Sequence, residues 1–192
     1  MDRTDEDLYA RFISSEDEEA MRLLFDRHCE QLTYFLAGIV HNFDDAQEIM
    51  MDCFAVVIAT TSRYTGRGGS SFKTWLYAIA TKRAFMFLRK NHQRSDMHPG
   101  EDAVADESAL PENSLVRREE YRRLYDAMST LPTDQRTVIY LRFFEDMKPE
   151  EISRIMKKSV KKIYKLTDRA KAKLREMLGD DKDGKDAGLW DI

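Results

Sequence analysis

Apolar residues recur every three to four positions along most of the chain, and no period-two runs flanked by hairpin turns occur, so the pattern predicts helices throughout. The first short helical pattern covers residues 5–12. Ser15-x-x-Glu18 reads as a capping box for a helix carrying Met21, Leu24, Phe25 and His28, and the stripe Leu32, Phe35, Leu36, Ile39 reads as the next arm of a helical hairpin. Asn42 to Asp44 breaks that stripe. Asp44-x-x-Gln47 then caps a helix to about Ala59, with Ile49, Met50, Cys53, Phe54 and Val57 inward and Gln47, Glu48, Met51 and Asp52 on the opposite face.

Residues 62–71, S-R-Y-T-G-R-G-G-S-S, are loop-like, and their three glycines permit close backbone approach to a ligand. The following helix interleaves Phe72, Trp75, Tyr77, Phe85 and Phe87 with Lys73, Lys82, Arg83, Arg89 and Lys90, more aromatics and bases than one core face accommodates. Phe72, Leu76 and Ile79 are expected inside. Periodicity is lost over residues 95–114, which contain Pro99, Gly100 and Pro111, and returns at 115–128. Leu131-Pro132 precedes a helix over 133–144 whose Val138, Ile139, Leu141 and Phe144 are expected to close a four-helix unit. In residues 148–175, Pro149 suits a first helical position, Ile152, Ile155 and Met156 form an inward stripe, and Lys157-Lys158 make a turn. Ser159 then caps a second helix with Val160, Ile163, Thr167, Ala170 and Leu174 on its packing face. This is a helix-turn-helix pattern.

Charge changes the picture more than composition does. At 192 residues, 42% hydrophobic and 34% charged, the chain suits two small helical domains. The formal net charge of -4 hides strong local asymmetry: residues 59–95 hold eight Lys or Arg and no acid, 96–115 hold six acids and no Lys or Arg, and 154–175 hold ten Lys or Arg against the single acid Asp168. Basic helices with such a surplus are polyanion footprints, and aromatics interleaved with bases suit unpaired nucleic acid. The expected fold is therefore all-α: a helical domain over 1–95, a flexible acidic linker over 96–114, a helix-turn-helix domain over 115–178 and a disordered tail over 179–192. Residues on the outward side of the second helix, Lys161, Lys162, Tyr164, Lys165, Asp168 and Arg169, are the candidate contacts with duplex DNA.

Other chemistry is not signalled. The acidic start of the chain is unlike a signal peptide, no run of some 18 apolar residues occurs, and a cytoplasmic location without membrane insertion is expected. Cys29 and Cys53 lack C-x-x-C spacing and read as buried thiols, and a metal site joining them to His28 and His41 matches no ligand motif. No P-loop, G-x-S-x-G or H-E-x-x-H is present, so no enzyme activity, metal or cofactor is expected.

The order of parts resembles bacterial RNA polymerase sigma factors of the extracytoplasmic-function (ECF) type, which keep only the region-two and region-four domains. The resemblance spans about residues 5–175. Its pieces are Asp45-Ala46-Gln47-Glu48-Ile49 with Phe54, the run from Ser71 to Ala80, Leu131-Pro132 with Gln135-Arg136, and the helix-turn-helix with Arg169-Ala170-Lys171. It implies that Asp45, Gln47, Glu48 and Asp52 contact core RNA polymerase. Arg63, Tyr64, Arg67, Lys73, Trp75, Lys82 and Arg83 would contact the melted minus-ten strand of promoter DNA, and the second helix would enter the major groove at minus thirty-five. An anti-sigma factor or other regulator is a further implied partner. Lys82, a donor without an acceptor, stands where the family often has Asn, and Lys157 replaces the turn glycine. A stand-alone helix-turn-helix regulator with an N-terminal sensing or dimerisation domain is the alternative, and an adaptor that reads no DNA is a third.

Overall fold

The computed structural model describes residues 3–59, 64–66, 69–97 (backbone alone for 93–97) and 126–178. Among the described residues there are helices and no strands, as the periodicity predicts. The chain divides into two compact units, Met1–Asp106 and Glu107–Ile192. Of the expected linker, residues 96–97 belong to a helix and the rest lies outside the described residues, as do Arg63, Arg67, most of the helix expected at 115–128 and the tail over 179–192.

The first unit contains α1 (Asp5–Ser15), α2 (Glu18–Val40), α3 (Phe43–Ile58) and α4 (Phe72–Met97). Each start is fixed by a side chain that accepts an otherwise unpaired N–H. For α2 that side chain is Asp17, taking the Ala20 N–H at 3.1 Å, and not the expected Ser15, whose hydroxyl donates back to the Arg11 carbonyl at 2.9 Å and so finishes α1. For α3 it is Asn42, taking the Asp45 N–H at 2.9 Å, two residues ahead of the expected Asp44. The expected hairpin within residues 18–40 is one continuous 23-residue helix. Nothing between His28 and Leu32 breaks it, because Glu30 and Gln31 lie on the exposed side while the apolar stripe continues at helical spacing. The chain turns only at His41, in the left-handed region at φ 62°.

Helix α2 packs along α1 and α3, and α4 lies against all three. Leu8, Leu24, Leu32, Leu36, Phe72, Leu76 and Tyr77 are almost fully buried where these helices meet. Each such side chain contributes about 1.5–3 kcal/mol of hydrophobic stabilisation. Ile79, expected inside, is only half-buried, and Tyr77 takes the core position with its ring 5.0 Å from that of Phe35. All five residues assigned to the inner face of α3 are buried.

The second unit has a helical end at 126–129, α5 (Thr133–Ile139) running into a single π-helical turn (Tyr140–Phe144), α6 (Pro149–Met156) and α7 (Val160–Leu178). Arg136 is buried, and its guanidinium donates to the carbonyls of Ser129 (2.9 Å) and Leu131 (3.2 Å), satisfying the end of the preceding helix. Phe144 is 51% exposed, against the expectation that it completes the core. The π turn, closed by the Glu145 N–H on the Tyr140 carbonyl, inserts one extra residue, so Tyr140 and Leu141 face inward and Phe144 rotates out.

Candidate nucleic-acid and polymerase interfaces

Helix α7 presents the first surface. Ile163, Leu166, Ala170 and Leu174 are buried against α5 and α6, with Val160 and Thr167 half-buried at the margin. Leu166 belongs to this packing face as well as the residues read from periodicity. On the other side Lys161, Lys162, Tyr164, Lys165, Asp168 and Arg169 are all exposed, Tyr164 by 54%. The turn before α7 is built as the helix-turn-helix pattern implies. Pro149 opens α6, the Glu151 carboxylate accepts the Lys148 N–H at 2.9 Å, and Ser159 accepts the Lys162 N–H at 3.3 Å. Lys157 ends α6 at φ 52°, a left-handed conformation that favours glycine, and its N–H reaches the Ser153 carbonyl. Lys158 is anchored to Asp134 on α5 at 3.0 Å, which ties the turn to the rest of the unit. The two-helix frame thus holds an exposed basic face from Lys161 to Arg169, about 12 Å along the axis of α7.

The outer face of α3 is the second surface. Gln47, Glu48, Met51 (56%), Asp52 and Ile58 (50%) are exposed, and Asp45 is half-buried beside them. Burial, reinforced by the neighbouring charges of Glu48 and Asp44, holds the Asp45 carboxyl above its usual range. The exposed acids Glu48 and Asp52 beside the exposed apolar Met51 and Ile58 suit a partner with cationic and apolar patches.

The loop and α4 form the third surface, and here the expected residues divide. Tyr64 and Trp75 do not stand free in solvent: with Tyr9 and Phe72 they form an aromatic cluster whose ring centroids are 5.4–6.0 Å apart. The Tyr64 hydroxyl donates to the Ser70 carbonyl at 2.5 Å, and burial, with the Glu6 charge adding, pushes its pKa up. Gly66 and Gly69 take φ of 62° and 67°, which a side-chain-bearing residue would adopt only under strain. Ser71 caps α4 through the Thr74 N–H at 3.1 Å, and the Glu6 carboxylate, from α1, accepts the Phe72 N–H at 2.8 Å. Tyr9 and Glu6 therefore fix the loop's exit, and periodicity could not find them: Glu6 reads only as an acid in the first turn of its own helix. Lys73 lies 5.7 Å from the Tyr77 ring centroid one turn on, and Lys82 is exposed. Arg83 turns instead toward α3 and pairs with Asp52 at 2.6 Å, so one residue expected at DNA and one expected at polymerase touch each other.

Other ionisable clusters have structural partners. His28 meets the Asp5 carboxylate at 2.7 Å, Cys29 is half-buried, and burial pushes the Cys53 thiol up to about 12. Among the described residues no three His, Cys, Asp or Glu side chains could hold a metal, and no helix is long and apolar enough to cross a membrane.

Among the described residues the chain is all-helical in both units, with a helix-turn-helix in the second and an exposed acidic and apolar face on α3 in the first, an arrangement that suits a DNA-binding protein that joins a larger machine. Sigma-70 region 2 matches residues 24–94, and Sigma-70, region 4 matches residues 121–174. The ECF RNA polymerase sigma factor SigX of Bacillus subtilis is 30% identical over 151 residues, covering 76% of this chain and 77% of SigX. The sigma factor CarQ of Myxococcus xanthus is 31% identical over 163 residues, covering 85% and 91% respectively. In three dimensions the chain is similar to the sigma factor RpoE of Bartonella quintana, solved with the anti-sigma factor NepR, at a TM-score of 0.71 and 21% identity over 83% of this chain and 97% of that one, a likeness of fold. The chain belongs to the ECF RNA polymerase sigma factors. A stand-alone regulator is not favoured, because the region-two match, residues 24–94, occupies most of the unit Met1–Asp106 that such a protein would use for sensing.

Proposed function

We propose that this sigma factor binds core RNA polymerase through the outer face of α3, centred on Asp45, Gln47, Glu48 and Asp52, and directs it to promoters read at two places. The exposed face of α7 enters the major groove of the upstream element. Lys161, Lys162, Lys165 and Arg169 contact phosphates and base edges, Tyr164 supplies an apolar flank, and Asp168 accepts from a cytosine N4 or fixes a neighbouring cation. The loop and the start of α4, with Arg63, Tyr64, Arg67, Lys73, Trp75 and Lys82, hold the unpaired minus-ten strand. The protein acts by binding; the bond-forming chemistry belongs to polymerase, inside the cell where core polymerase and promoter are found.

The observation that carries this reading is the exposed basic face of α7, in a chain whose first unit keeps a second, separate set of exposed charges on α3. A regulator that only sticks to DNA has no use for the latter. Copurification with core polymerase, followed by run-off transcription from a promoter template, tests it. Retention on core and start-site-specific transcripts are expected; DNA binding with no retention on core would overturn it.

A further inference from the structure

The ion pair between Arg83 and Asp52 joins two helices whose positions are 31 residues apart in the chain. The Arg83 guanidinium donates to Asp52 Oδ2 at 2.6 Å, and the two side chains are 33% and 59% exposed. The more hidden partner is the arginine. Among the described residues Oδ1 of Asp52 has no partner. Lys82, the neighbouring base on α4, is exposed and makes no ion pair with a described residue. Two adjacent bases thus stand in different situations: one open to a polyanion, the other spent on a carboxylate.

We infer that Arg83 is a positioning residue for polymerase docking and not a contact with the melted strand: it holds the Asp52 carboxylate in one rotamer, with one oxygen engaged and the other presented to a cationic group of the polymerase. This rests on the reading of α3 as the docking face. An unpaired aspartate on a helix surface samples several rotamers and pays to lose them on binding; a guanidinium that already engages one oxygen removes that cost beforehand. Compensated by Asp52, Arg83 has correspondingly little attraction for phosphate.

The test measures affinity of the full chain for core polymerase alongside promoter opening, for Arg83→Ala, Arg83→Lys, Asp52→Ala and the double alanine variant. Arg83→Ala is expected to weaken core binding about two- to fivefold, the range an exposed ion pair supports. Arg83→Lys should recover part of the loss, and the double variant should bind no worse than Asp52→Ala alone. At saturating core, opening by Arg83→Ala should match wild type. A charge-reversed pair, Asp52→Arg with Arg83→Asp, re-forms the bridge between the helices; it should fail to restore core binding, whereas a pair that merely clamps α3 to α4 would be restored. Unchanged core affinity for Arg83→Ala beside a weakened Asp52→Ala would overturn the inference alone. Slowed opening that a pre-melted bubble rescues would return Arg83 to the DNA surface and overturn it too. Unchanged affinity for Asp52→Ala would overturn both this inference and the assignment of Asp52 to docking.

Discussion

Helices α4 and α7 are both long, both basic and both assigned to DNA, yet they are built on opposite plans. Helix α7 packs through one face, so its apolar and charged residues separate cleanly and every outward residue expected to meet DNA is exposed. Helix α4 is covered by α1, α2 and α3, and its start also by the loop that includes Tyr64. Its apolar contacts are therefore spread around the helix, and basic residues near the seams are drawn into local pairs. The lesson is that a charge on a one-sided helix can be assigned by periodicity, while on a many-sided helix it must be traced to what it touches. Arg83 and Lys82, adjacent in sequence, make the point.

The largest expected effect of this difference lies in truncations of an aromatic residue on each helix. Trp75→Ala opens the cluster of Tyr9, Tyr64 and Phe72 and is expected to cost about 2–4 kcal/mol of unfolding free energy, below the full aromatic value because the ring is only half-buried. Tyr164→Ala, on the open face of α7, should change stability by less than about 0.5 kcal/mol while weakening upstream-element binding. Denaturant unfolding of both variants checks this, and equal losses would erase the distinction between the two helices.

A smaller effect concerns the anchoring of α1, which brings Glu6 and Tyr9 to the start of α4. Asp5 is held below its ordinary carboxylate range, chiefly by the hydrogen bond with His28, which outweighs the opposing effect of burial, and further by Arg27. Because the folded value lies below the unfolded one, the stabilisation is fully present above the unfolded value, about 3.9, and is lost as pH falls through the folded value. Asp5→Asn is expected to cost about 1–2 kcal/mol near neutrality and progressively less toward pH 3. Thermal unfolding of both proteins between pH 3 and 7 reads the gap, and a gap that does not narrow as pH falls below about 3.9 would mean that Asp5 acts through packing.

What was legible in the sequence follows the same division. The helix-turn-helix, its Pro149 start, its Ser159 cap and its outward face depend on contacts within a few residues, and these were readable. The inner face of α3 was readable for the same reason. Cap positions slipped where two acceptors compete within a turn, as with Ser15 and Asp17. Helical spacing places Phe144 inward, and the π turn, which shifts the register by one residue with no local signal, turns it out. The Glu6 carboxylate on the Phe72 N–H, 66 residues apart, and the Arg83–Asp52 pair are products of tertiary packing that no spacing rule contains.

In the function proposed for this chain, two basic surfaces meet DNA in two states, paired at α7 and unpaired at the loop and α4. Site-specific photocrosslinking from positions 165 and 82, within the open complex of polymerase and promoter, tests it most directly. Position 165 is expected to crosslink to the upstream duplex and position 82 to the unpaired minus-ten strand, the latter only after opening. Crosslinks from position 82 to duplex DNA or to polymerase alone, or none from position 165 to DNA, would contradict the account.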